Sequence, residues 1–135
     1  MALNKVGGIL MLIGLFLPAV LIMAGPIMIM LWIFGLMYWS GPPFGTLFLF
    51  SPGIIDIVLF IVLLIFSILC IAKESGRTKV FGILSLVFIC IYFGLIMLVF
   101  TAVMLYYGVG VAFFVIPFLG FILIFIGSIM NIASK

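Results

Sequence analysis

Asp56 is the residue best placed to do chemistry, because it is one of only two acids and the one that falls inside an apolar run. A carboxylate near hydrocarbon is costly, and by default it suggests an ion or proton path. Asp56 also follows Ser51 closely, in the first turn or two of an expected helix, where the positive helix end stabilises an anion. It is therefore a candidate for ion or proton coupling, set against the simpler reading of a charge that steadies a helix start. Hydrolases, metal enzymes and haem proteins draw on His, Cys, Asp and Glu. Here there is no His, and the second acid, Glu74, is expected about a bilayer away from Asp56. No paired carboxylates, Ser–His arrangement, phosphate-cradling glycine loop or metal-ligand spacing appears. The sequence predicts no catalytic residues, no metal and no cofactor, and so no enzyme.

Cys70 and Cys90 both fall inside apolar runs. As helix positions they differ in depth by roughly 12 Å at 1.5 Å per residue, too far for a disulfide. They read as small hydrophobes.

The elements that would position these residues follow from composition. The 135 residues suit one domain, with 70% hydrophobic and 5% charged residues. Soluble proteins carry about 25% charged residues, so lipid is the expected solvent. The net charge of +3 forms no stripe or arm, which argues against nucleic acid as a partner.

Lys73-Glu74-Ser75-Gly76-Arg77-Thr78-Lys79 is the strongly hydrophilic stretch, and oily segments flank it on both sides. From Val6 to Trp39 there is no charge, although Pro18 and Pro26 interrupt the run. A helix crossing a bilayer needs about 20 residues, so this run is read as one kinked helix over 6–38. A re-entrant or surface-lying piece at 27–39 is the competing reading. The run opens like a secretory signal at Lys5, but it extends well past a signal core and is read as a retained span. Residues 40–53, SGPPFGTLFLFSPG, read as an oily loop, with Ser51 as a helix cap and Pro52 at the first helical position. Further spans are expected at 54–72, 80–106 and 111–133, with Tyr107-Gly108-Val109-Gly110 as a turn. The predicted fold is thus all-α: an integral membrane four-helix bundle of two hairpins, in a single domain over 1–135.

Orientation follows from charge. Lys5, Lys73, Arg77, Lys79 and Lys135 all fall on the side of the termini and the hydrophilic turn, which the positive-inside rule makes cytoplasmic. These residues read as cytoplasmic anchors of a multi-pass protein of the cell membrane. Trp32, Tyr38, Trp39, Tyr106 and Tyr107 fall toward the opposite interface, where amphipathic rings are favoured.

The halves also resemble one another. NKVGGILML (4–12) aligns with TKVFGILSL (78–86), and SILCIAK (67–73) with SIMNIAS (128–134). The pattern suggests a duplicated hairpin whose first copy is longer, its extra residues lying in the Trp/Tyr/Pro/Phe segment. Gly7, Gly14, Pro18 and Gly25 recur at helical spacing, as do Gly120, Gly127 and Asn131. Small strips let helices approach closely, and Asn131 can bond across. They are read as packing residues, within the bundle or toward another subunit. Trp39, Phe44, Phe48 and Phe50 make the outer loop oily enough to dock on protein or headgroups.

Two family outlines come near. Tyr38-Trp39-Ser40-Gly41 followed by a loop resembles tetraspan junction proteins, whose large extracellular loop carries cysteines. This loop has none and is shorter, so no family is assigned. Small multidrug-resistance transporters are similar in length and span number, but their essential acid lies in the first span, and this first span has none. The expected function is a non-catalytic membrane subunit, accessory to a larger complex or self-associating, with membrane lipids and other membrane subunits as partners. A small oligomeric transporter or channel using Asp56 is the alternative, and a tetraspan adhesion or membrane-shaping protein the third.

Overall fold

Residues 2–25, 27–41, 45–50, 53–74, 76–106 and 113–135 are described by the structure, a computed structural model. The first helix, α1, covers Leu3–Leu15 and ends as the Phe16 N–H turns back to the Ile13 carbonyl at 3.1 Å. Pro18 follows, and a proline has no N–H with which to continue the ladder. Four strands come next: β1 (Val20–Ala24), β2 (Ile27–Leu31), β3 (Leu36–Gly41) and β4 (Gly45–Phe50). Helices α2 (Ile54–Ala72) and α3 (Lys79–Tyr106), strand β5 (Phe113–Pro117) and helix α4 (Leu119–Ala133) complete the chain.

The all-α expectation is therefore wrong. The supposed kinked helix over 6–38 is one short helix followed by strands, the oily loop holds β4, and the front of the supposed 111–133 span holds β5. Two glycines explain much of the difference. Gly25 (φ 60°) and Gly35 (φ 97°) adopt the left-handed backbone that turns require and that other residues resist. Between such turns lie apolar runs of strand length. A solid apolar run has no two-residue alternation, so periodicity alone cannot separate strand from helix. Nor is the molecule a four-helix multi-pass bundle. Among the described residues two helices are long and apolar enough to cross a membrane, α2 and the Lys79–Val103 part of α3. Helices α1 and α4 are shorter.

The strands form one antiparallel sheet in the order β4-β3-β2-β1-β5. Ala24 pairs with Ile27 across the β1–β2 hairpin, and Val20 pairs with both Leu31 of β2 and Pro117 of β5. The sheet's inner face, with Val20, Ile22 and Ile29 buried, joins Leu15, Leu59, Leu63, Ile89 and Ile124 of the helices in one core. Helix α1 packs on α4 and α2, and α3 packs on α4 and α2. Sheet and helices are stitched at one end by Gly120 N–H to Pro18 O (2.8 Å) and Phe118 N–H to Ala19 O (3.1 Å). At the other end the Asn4 amide donates to Cys70 O and Lys73 O, both at 2.9 Å. There too the Gly76 N–H donates to the Ser134 hydroxyl at 3.3 Å. Both termini and the α2–α3 turn thus lie at one end, and the sheet at the other.

Candidate functional site

Asp56 is the third residue of α2, whose cap is Gly53. Its Oδ2 accepts the Gly53 N–H at 3.0 Å, satisfying one of the backbone donors that a helix start leaves open. The expected capping pair Ser51-Pro52 lies outside the described residues. From this position Asp56 lines a cavity of about 480 Å³ between the ends of the strands and helices α2 and α3. Trp32, Leu36, Phe50, Tyr92 and Ile96 are among the walls.

Each wall residue has a reason to be there. Tyr92 lies on α3, is 4% exposed, and aims its hydroxyl at the Trp32 carbonyl at 3.5 Å. Trp32 opens the β2–β3 turn, which the Trp32 N–H to Leu36 O bond closes at 2.9 Å. A run of rings holds that turn and the end of β4 over α2: Phe34 lies 5.9 Å from Phe60 and 6.4 Å from Phe50 between centroids. The result is an apolar cavity with a carboxylate and a phenol in its wall.

Sequence reasoning singled out Asp56 and Phe50 but missed Tyr92 as their neighbour. One signal was available: of the four tyrosines, Tyr92 is the one set mid-helix in an apolar run instead of near an expected interface. Trp32, expected toward the interface opposite the basic turn, also belongs to this wall.

The other predicted residues fall elsewhere. Gly7, Gly14, Gly120, Gly127 and Asn131 meet along the α1–α4 contact. A Cβ on Gly14 would lie 2.8 Å from Gly120 O, and one on Gly7 would lie 2.6 Å from the Asn131 amide. Asn131 bonds within its own helix, to Gly127 O at 2.9 Å, and reaches Met11 Sδ at 3.7 Å. Gly25 does not join this strip, because it lies in the β1–β2 turn. Trp39 is on the inner sheet face and donates to Gly41 O at 3.2 Å. Phe48 is on the outer face, 61% exposed, with its ring centroid 4.8 Å from that of Tyr38 and tilted to it by 56°. Phe44 lies outside the described residues. Lys5, Lys73, Arg77, Lys79 and Lys135 are exposed at the end away from the sheet. Arg77 pairs there with Glu74 at 3.6 Å.

The sheet's outer face is the second candidate. Met23, Phe48 and Ile116 point outward and are exposed, and β4 is an edge strand open along most of its length. No charged residue lies on any of the five strands. Comparison with protein-family models, with curated proteins and with solved structures finds no match to this chain.

Proposed function

We propose that this protein is a non-catalytic membrane component that works by assembly, as an accessory subunit of a larger membrane complex or with copies of itself. One observation carries the reading: β4 is an exposed apolar edge. Gly45–Phe50 has no proline and no charge, every residue in it but Leu47 is exposed, and natural proteins guard such edges unless they are used for pairing. The neighbouring outer face extends the same apolar surface.

Membrane embedding rests on α2 and α3. Their outward residues, including Ile54, Ile61, Ile68, Val80, Val87 and Leu98, are exposed and aliphatic. Water would leave that surface unpaid, whereas acyl chains match it. The basic turn then stays on the cytoplasmic side under the positive-inside rule.

Purification in an uncharged mild detergent, with light scattering to give the protein mass, tests the assembly. The wild type is expected as an assembly larger than one chain, and Phe48→Lys as a smaller one. An identical mass for both removes β4 from the interface. Topology is read separately, by labelling a Glu74→Cys variant in a Cys70→Ser, Cys90→Ser background with a membrane-impermeant thiol reagent on intact cells. Labelling only after permeabilisation is expected, and ready labelling of intact cells reverses the orientation.

A further inference from the structure

We infer that the Asp56 cavity binds a lipophilic organic cation, an ammonium-type group carried on a small apolar body, with Asp56 as its counter-ion. This does not rest on the assembly proposed above.

The first argument is charge. Between Lys5 and Lys73, Asp56 is the single charged residue, and between Lys79 and Lys135 there is none. Lys73 stands at the far end of the helix that Asp56 begins, roughly 25 Å away at 1.5 Å per residue. Lys5, Arg77, Lys79 and Lys135 share that far end. The sheet half of the molecule therefore carries one formal charge, negative, with no cation from its own chain to meet it. A carboxylate in an apolar wall gains most from an opposite charge that is itself poorly hydrated.

The second argument is geometry. The carboxylate spends Oδ2 on the Gly53 N–H, and its other oxygen has no partner among the described residues. The volume of about 480 Å³ falls within the roughly 300–1,000 Å³ of small-molecule sites. Trp32, Tyr92 and Phe50 line it, and aromatic walls favour quaternary and alkyl ammonium groups through cation–π attraction. Leu36 and Ile96 match an apolar body.

A metal ion fits poorly. Calcium takes about 6–8 oxygen ligands, and among the described residues no cluster of His, Cys, Asp and Glu could hold one. The cavity instead offers one carboxylate, rings and aliphatic side chains. An anion would meet the Asp56 charge unopposed.

The test uses benzyltrimethylammonium and its uncharged carbon isostere, neopentylbenzene, titrated into the full chain in an uncharged detergent. A Trp39→Phe background leaves Trp32 as the sole tryptophan, so its emission reports the cavity wall. Expected is a saturable change with the cation, and affinity at least tenfold weaker for the isostere. Asp56→Asn, which keeps an oxygen able to accept the Gly53 N–H, is expected to weaken the cation at least tenfold and leave the isostere unchanged. Tyr92→Phe is expected to weaken the cation a few-fold. Equal affinity for cation and isostere in the Asp56 protein overturns the site without recourse to any cavity variant. Undiminished cation binding by a folded Asp56→Asn protein does so too, and returns Asp56 to the role of a helix cap alone.

Discussion

Gly8 in α1 and Gly82 in α3 hold matching positions in the two halves of the chain, and their surroundings match as well. A Cβ on Gly8 would meet Ile71 Cγ1 at 2.7 Å, Ser67 O at 3.0 Å and Cys70 Cβ at 3.1 Å. On Gly82 it would meet Ser128 O at 2.7 Å, Asn131 Cβ at 2.9 Å and Ile132 Cγ1 at 3.1 Å. Residues 67, 70 and 71 are the partners of 128, 131 and 132 in the aligned segments SILCIAK and SIMNIAS. The two serines even bond alike, Ser67 to Leu63 O and Ser128 to Ile124 O, each at 2.7 Å. Toward the sheet the halves part: among the described residues the first carries four strands between its helices and the second carries one. The comparison teaches where constraint lies. Helix pairs in near backbone contact tolerate few residue types, whereas the far connection accepts any chain that pairs its own N–H and C=O groups.

The sharpest way to break the likeness is at the two glycines. Gly82→Val drives a branched side chain into a backbone carbonyl that cannot yield, and is expected to cost about 3 kcal/mol, at the upper end for overpacking. Gly8→Val meets Ile71 Cγ1 at 2.7 Å first, a side chain that can shift, and the Ser67 carbonyl only at 3.0 Å, so about 2 kcal/mol is expected. Melting of both variants in detergent checks the ranking, and equal losses would show that the carbonyl at 2.7 Å is not the deciding contact.

Smaller effects are expected at Asn4 and Thr78, which also align. Asn4 alone serves two carbonyls at the end of α2, so Asn4→Leu is expected to cost about 2 kcal/mol. Among the described residues the Thr78 hydroxyl shares one 3.3 Å bond, with the Ser134 hydroxyl, and Thr78→Val should cost about 1 kcal/mol. Denaturant titrations of the two variants separate them, and a larger loss at Thr78 would contradict the bond assignment. The smallest effect sharpens the argument from the other side. Gly94 on α3 has open space around its missing Cβ, and Gly94→Ala should stabilise by roughly 0.5–1 kcal/mol through helix entropy alone. A loss on melting there would reveal a contact that the chain itself does not make.

Much of the helical part was legible because its signals are local. Asp56 close behind a Pro-Gly pair marks a helix start, and Lys73 to Lys79 ends one helix and begins another. The strands were not legible in the same way. VLIMA, IMIML and LMYWSG are apolar on both faces, since the inner face meets the helices and the outer face is apolar too. The useful sign was punctuation, Gly25-Pro26 and Phe34-Gly35, which divides the run into strand-length pieces. At the candidate site, Asp56 stood out as the lone acid in an apolar run, but nothing local joins it to Trp32 or Tyr92.

What the sequence determined by itself is a matter of composition and short-range order. It set the length and apolar character that would let α2 and α3 cross a membrane, the separation of every cationic side chain from Asp56 along the chain, and the small residues that let α1 approach α4. Tertiary structure alone decided that β1 to β4 pair as strands, because a strand's hydrogen bonds go to neighbours that can be distant in the chain, as the pairing of β1 with β5 shows. It also made the cavity, since a void exists only where elements from separate parts of the chain meet without filling the space between them.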